Sequence, residues 1–208
     1  MRSVRRIPLS RRSHIVGFQT LPASGLTEHE SALERDFVTL ATFRDASARI
    51  ISQPITLSFL EGTTSRRYTP DFLVHWSDGR SQLIEVKYRA DLREKWRQLR
   101  PAFVTARAWA REQHASFRIA TERSIRGPLL QNAKRLLPLR QASLDRTLAD
   151  QLCRALASLS DPTFGALAAA VPKERATVLG ALWRMIARGE LRADLTVPIG
   201  LQTRLALP

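Results

Sequence analysis

Asp71 is followed fourteen residues later by Glu85-Val86-Lys87, and these three charged groups form a minimum set for hydrolysing a phosphodiester. That reaction needs a divalent cation to neutralise the non-bridging oxygens and to lower the pKa of the attacking water. Hard carboxylate oxygens such as those of Asp71 and Glu85 suit Mg2+ or Mn2+. An ammonium beside them, Lys87, orients that water and stabilises charge developing on the phosphate. In a strand the side-chain period of two sets Glu85 and Lys87 on one face, with Ile84, Val86 and Tyr88 on the other. Two charges thus leave an otherwise apolar strand together, and a desolvated carboxylate there needs a cation or several donors. The same spacing also fits a plain surface salt bridge between Glu85 and Lys87. D-x(n)-E-x-K is a weak pattern alone, so its weight comes from the elements around it.

Those elements read as a hairpin. Residues 67–76 and 81–89 are rich in β-formers, and the segment between them, Ser77-Asp78-Gly79-Arg80, is a turn signal. A two-residue loop, Asp78-Gly79, would pair Asp71 with Val86 and point it away from Glu85. A three-residue loop, Ser77-Asp78-Gly79, pairs Trp76 with Arg80 and sets Asp71 opposite Glu85, as a shared metal requires. Glycine at the third loop position suits a type I turn completed by a left-handed residue and a G1 bulge, so the three-residue loop is expected. Upstream, Thr27 and Glu30 have the spacing of a capping box, and Leu33, Phe37, Leu40 and Ala41 recur at helical spacing, predicting a helix over 28–44. Residues 50–60 alternate as a half-buried strand in which Pro54 marks an edge or bulge. Downstream, Leu92, Trp96, Leu99, Phe103 and Ala110 mark helical segments, with Pro101 opening a second helix after a break. A short strand over 117–120 then joins the sheet.

The chain has 208 residues, 44% of them apolar, enough for one full domain and a small second one. Its net charge is +14 with a pI of about 11.4, and a surplus of cations attracts polyanions, nucleic acid first among them. Only four of the 33 basic residues are lysines, which singles out Lys87 inside a strand. Residues 1–27 hold Arg2, Arg5, Arg6, Arg11 and Arg12 and read as a basic flexible arm contacting phosphate; an Arg- and Ser-rich transit peptide is the alternative. No apolar stretch approaches membrane-spanning length, so a cytoplasmic protein is expected. Cys153 has no cysteine partner, and His14, His29, His75 and His114 lack ligand spacing. After Gly127-Pro128 the composition shifts to Leu, Ala and Arg, with Pro138 as the domain boundary. Helices over 143–158, 163–170 and 174–188 followed by an alternating segment over 190–199 have the order of a winged helix-turn-helix over 138–208.

Taken in order, Leu33-Glu34-Arg35-Asp36-Phe37, Gln53-Pro54, Tyr68-Thr69-Pro70-Asp71-Phe72-Leu73-Val74 and Glu85-Val86-Lys87 resemble the TnsA endonuclease subunits of heteromeric transposases, within the PD-(D/E)XK nuclease superfamily. The resemblance covers about residues 28–90. It implies a restriction-endonuclease-like α/β fold with a mixed sheet flanked by helices over 28–137, and it supports the winged-helix reading of the C-terminal part, where no motif is specific. It makes Glu34 the helix-borne acidic residue and third metal-site carboxylate, with Glu30 as substitute. It further makes Asp71 and Glu85 ligands of Mg2+ or Mn2+, and Lys87 the catalytic lysine. That family can carry Gln where this chain has Glu85, so the site is closer to the general superfamily pattern. The implied activity is cleavage of one DNA strand at transposon ends, near the 5′ ends, by a bacterial enzyme. The implied partners are double-stranded DNA, a transposase subunit and an AAA+ regulator. A stand-alone restriction or repair nuclease, and a DNA-binding assembly factor with a degenerate site, are the alternative readings.

Overall fold

A computed structural model describes residues 17–21 and 23–208 and divides the chain into two compact units, one ending at Arg126 and one running Gly127–Pro208. The boundary therefore lies well before the 137/138 position expected from Pro138. Pro128 begins a helix directly after Gly127, so the composition shift noted there coincides with the division. No helix among the described residues is long and apolar enough to cross a membrane.

The first unit opens with a hairpin of β1 (Gly17–Leu21) and β2 (Gly25–His29). Residues 17–27 therefore do not belong to an extended arm, and Arg2, Arg5, Arg6, Arg11 and Arg12 lie outside the described residues. Thr27 pairs with Gln19 in this hairpin, which takes it away from the helix start expected there. The helix α1 (Ala32–Arg44) starts four residues later, with Ser31 as the N-cap whose hydroxyl accepts from the Glu34 N–H at 3.1 Å.

The central sheet has the order β3-β6-β7-β8, formed by β3 (Arg49–Ser52), β6 (Phe72–His75), β7 (Ser81–Val86) and β8 (Ser116–Ala120). Between β3 and β6 lies a separate hairpin of β4 (Leu57–Glu61) and β5 (Thr64–Tyr68). The single strand expected over 50–60 is thus two, because Gln53 adopts a left-handed conformation (φ 44°) and Pro54 has no N–H to extend a ladder. Likewise the strand expected over 67–76 is interrupted by Thr69-Pro70-Asp71, which separates β5 from β6.

Strands β3, β6 and β7 are antiparallel, whereas β7 and β8 are parallel, a pairing that demands a long crossover. That crossover is α2 (Arg89–Glu112), which runs unbroken through Pro101 where a break is expected. Its buried residues Ala102, Phe103, Ala106 and Ala110 pack with Ile51, Leu57, Leu73, Leu83 and Phe117. This packing outweighs the roughly 3 kcal/mol that an interior proline costs a helix. On the other side of the sheet Phe37 of α1 stacks on Phe72, with ring centroids 5.5 Å apart. The short α3 (Glu122–Ile125) follows β8, and Arg126 just after it pairs with the buried Asp36 of α1 at 3.0 Å.

The second unit consists of α4 (Pro128–Leu136), a 3-10 turn (Leu137–Leu139), α5 (Arg146–Ser158), α6 (Phe164–Ala170) and α7 (Arg175–Arg188). Asp145 and Thr163 cap α5 and α6 through their side chains, which is why the expected starts at 143 and 163 fall within a few residues of the observed ones. The strand expected over 190–199 does not form. Asp194 instead bonds the N–H and hydroxyl of Thr196 in a turn, and Arg192 bridges to Ala206.

Candidate active site

The hairpin loop is Ser77-Asp78-Gly79. The Trp76 N–H donates to the Arg80 carbonyl at 2.9 Å, the Gly79 N–H closes the turn on the Trp76 carbonyl at 3.1 Å, and Gly79 is left-handed at φ 85°. The pairing that results, Phe72 with Ile84 and His75 with Ser81, carries on to set Asp71 opposite Glu85. By the period of two, both carboxylates stand on the face where Leu73 and Leu83 meet α2.

Asp71 lies just before β6, and its carbonyl still receives the Gln53 N–H at 2.7 Å. Its side chain turns across to β7, where Oδ2 accepts from the Val86 N–H at 2.6 Å. The next residue, Lys87, turns its N–H the other way, to the Ala120 carbonyl of β8 at 3.0 Å. Glu85 is only 2% exposed. Its Oε1 meets the Lys87 ammonium at 2.9 Å and its Oε2 accepts from the Tyr68 hydroxyl at 2.6 Å. Glu34 sits in the first turn of α1, accepting from the Glu30 N–H at 2.7 Å and from the Ser31 hydroxyl at 2.8 Å. Glu30 is held in turn by the Gln53 side-chain amide at 2.9 Å.

The electrostatics agree with this crowding. Burial, reinforced by the charges of Glu85 and Glu34, drives the Asp71 carboxyl well above the usual carboxylate range. Glu34 is also raised, chiefly by burial, against the pull of its hydrogen bonds to Glu30 and Ser31. Burial works against the Lys87 ammonium, but Glu85, Asp71 and Glu34 outweigh it and keep its pKa above the ordinary lysine value. Burial and the neighbouring Glu85 push the Tyr68 phenol far above its normal range, so it stays a donor.

Of the four residues singled out by sequence, Asp71, Glu85 and Lys87 are brought together at the ends of adjacent strands. Glu34 bonds Glu30 and Ser31 instead and bears on Asp71 and Lys87 only through its charge. Three neighbours of the cluster are given no role by the sequence. Tyr68 and Gln53 stand in the motifs that carry the resemblance but otherwise read as a β-former and a strand residue, and the Val86 N–H reads as part of a ladder. His29, His75 and His114 take no part, and His14 lies outside the described residues. Among the described residues no group of three or more His, Cys, Asp and Glu side chains is arranged to hold a metal ion. Asp71 and Glu85 alone still suit a hard cation such as Mg2+, which is often bound through one or two carboxylates with waters and phosphate oxygens completing the shell.

A mixed sheet with Pro70-Asp71 just before one antiparallel strand and Glu85-Val86-Lys87 at the end of the next has the arrangement that the PD-(D/E)XK pattern describes. Residues 45–122 match the family model for the TnsA-like endonuclease N terminal, so this part of the first unit is similar to that nuclease domain. The match takes in Tyr68, Asp71, Glu85 and Lys87, whereas Glu34 and the whole second unit fall outside it. No curated protein matches the chain.

Proposed function

We propose that the chain is a Mg2+-dependent DNA endonuclease that cuts one strand at transposon ends, near the 5′ ends, as a subunit of a heteromeric transposase. The observation that supports this reading is the Asp71 carboxylate on the Val86 N–H, next to Glu85 with the Lys87 ammonium on it, within the stretch that matches the TnsA-like model. Asp71 and Glu85 would hold Mg2+ or Mn2+, with Glu34 as a further carboxylate. Such an ion supplies charge neutralisation at the phosphate and acidifies the attacking water. Burial, reinforced at Asp71 by the charges of Glu85 and Glu34, raises the pKa values of Asp71 and Glu34. A cation would offset the cost of holding these carboxylates out of water. Lys87 remains an ammonium at neutral pH and offers its protons to the scissile phosphate or to the water.

The substrate reading rests on charge and shape. A net charge of +14 favours a polyanion. A cleft of about 510 Å3 between the β4–β5 hairpin and α2 is lined by Arg66, which pairs with Glu61, by Arg67 and Gln98, and by Tyr68, the residue bonded to Glu85, and would offer basic groups to a phosphate backbone near the site. In the second unit Thr163, before α6, and Arg192, after α7, each bridge to the segment ending at Ala206. Three helices, α5 to α7, with isolated bridges in place of the strands of a wing, are the support for the winged-helix reading, and this unit is the proposed contact for DNA or for an AAA+ regulator. The partner transposase, in this reading, cuts and joins the other strand.

The test is strand-specific cleavage of labelled transposon ends by the chain together with its transposase partner. Asp71→Ala should abolish cutting of the strand assigned here while leaving the fold and DNA binding in place. Undiminished cutting of that strand by folded Asp71→Ala protein sinks the proposal.

A further inference from the structure

Glu85 is gripped by two donors of opposite character. Lys87 reaches Oε1 from the same strand, is charged, and has a side chain about one-third exposed. Tyr68 reaches Oε2 from β5, a strand outside the central sheet, and is anchored in the core: its ring lies edge-on to Phe103 of α2, with centroids 6.0 Å apart and planes at 66°. A lysine on a flexible stem can swing away from a carboxylate. A phenol on a packed ring has no comparable freedom. The two oxygens of Glu85 are thus inequivalent, one held by a movable ammonium and the other by a fixed hydroxyl.

We infer that Tyr68 is a positioning residue that pins Oε2 of Glu85, so that Oε1 is the oxygen offered to the cation and Lys87 is the group that vacates it. This rests on the metal-dependent reading above and adds to it which oxygen binds and what holds the other. The hydroxyl is suited to the task because it stays protonated beside a negative charge. It also satisfies a carboxylate oxygen in a place where water is excluded. Released from Oε1, the Lys87 ammonium would remain beside Glu85 and be free to meet a phosphate oxygen.

Hydrogen-bond partners that orient a metal ligand commonly govern affinity by 10- to 100-fold, which sets the size of the expected effect. The full chain without DNA is titrated with Mn2+, free ion being read by electron paramagnetic resonance. Tyr68→Phe keeps the ring and its contact with Phe103 but removes the donor, so Kd for Mn2+ should rise by about tenfold or more. In cleavage assays with the partner present, the half-saturating Mn2+ concentration should rise in parallel while the rate at saturating Mn2+ largely recovers. A residue that merely supported the fold would lower the active fraction without moving either metal constant, and unchanged constants in Tyr68→Phe overturn the inference. Asp71→Ala is titrated alongside. If it too binds Mn2+ like the parent protein, the metal site itself is misassigned; if it loses Mn2+ and Tyr68→Phe does not, only the role of Tyr68 falls.

Should Tyr68→Phe fail to fold, the unaltered side chain can report instead. The chain has two tyrosines, Tyr68 and Tyr88, so 3-fluorotyrosine labelling gives two fluorine resonances, and Tyr88→Phe identifies the one from Tyr68. Saturation with Mg2+ should shift that resonance, and a Tyr68 signal indifferent to Mg2+ overturns the inference equally.

Discussion

Lys87 is the residue on which the metal-free site depends, because it is the counter-charge of a glutamate only 2% exposed. Lys87→Met keeps the length of the stem and removes the charge. Breaking a fully buried pair costs roughly 3–5 kcal/mol; here the Lys87 side chain is 32% exposed, so solvent already shares the task, and a loss on the order of 2 kcal/mol is expected in chelator. Added Mg2+ should restore much of that stability, since a ligand bound only by the folded state stabilises it. Cleavage should not recover, and single-turnover rates should stay about 100-fold or more below the parent protein. A variant that melts like the parent in chelator, or cuts like it in Mg2+, contradicts the role given to Lys87. The three central charges are legible in the sequence because a strand alternates its faces and a charged pair on one face stands out. Tyr68 is not, since its importance lies in a hydroxyl that meets Glu85 seventeen residues on, across a separate hairpin. Glu34 stands at helical spacing, but the residue that caps its first turn is Ser31 and not Thr27, whose spacing to Glu30 imitates a cap.

At the scale of elements, the decisive feature is the three-residue loop that sets the register of β6 against β7. The Ser77-Asp78-Gly79 turn is legible because only certain residues accept a left-handed φ, and Gly79 stands where the loop needs one. A Cβ added at Gly79 meets nothing within 4 Å, so any penalty of substitution comes from the backbone alone. Gly79→Val places a β-branched residue at φ 85° and should cost about 1–2 kcal/mol in denaturant melting. Gly79→Asn should recover most of it, because asparagine tolerates the left-handed region. Equal stability for the valine and asparagine variants would show that the turn does not impose the register. Less legible are the breaks at Gln53-Pro54 and Thr69-Pro70. Each proline ends a run of β-formers that reads as one strand by periodicity, and the β4–β5 hairpin between them becomes visible only once the chain is folded. Pro101 misleads in the opposite sense, since packing of Phe103 and its neighbours on the sheet holds α2 together through it.

For the whole molecule, charge is the property most plainly written in the sequence and the least dependent on fold. The boundary between the units is half legible: the change in composition after Gly127-Pro128 is visible, but Pro138, which draws the eye as a breaker, lies in the 3-10 turn that continues α4. The N-terminal stretch teaches the same lesson, because residues 17–21 and 25–29 form a hairpin whose Glu28 N–H donates to the Ser52 hydroxyl of β3 at 2.9 Å. Any test of the N-terminal arginines must therefore spare that hairpin. Removing residues 1–16 deletes Arg2, Arg5, Arg6, Arg11 and Arg12 and leaves β1 and β2 intact. Every phosphate that the shortened chain no longer neutralises should reduce the slope of log affinity against log salt by about 0.9 on duplex DNA. If these arginines engage phosphate, the truncated chain should bind transposon-end duplex with a slope shallower by roughly 2–4 and lose affinity mostly at low salt. Fluorescence anisotropy across a salt series reads both effects, and thermal melting with and without Mg2+ should show the metal-dependent stabilisation unchanged. A parallel pair of lines, with equal slopes for the full and truncated chains, would place the DNA contacts of this protein on residues 17–208 and not on residues 1–16.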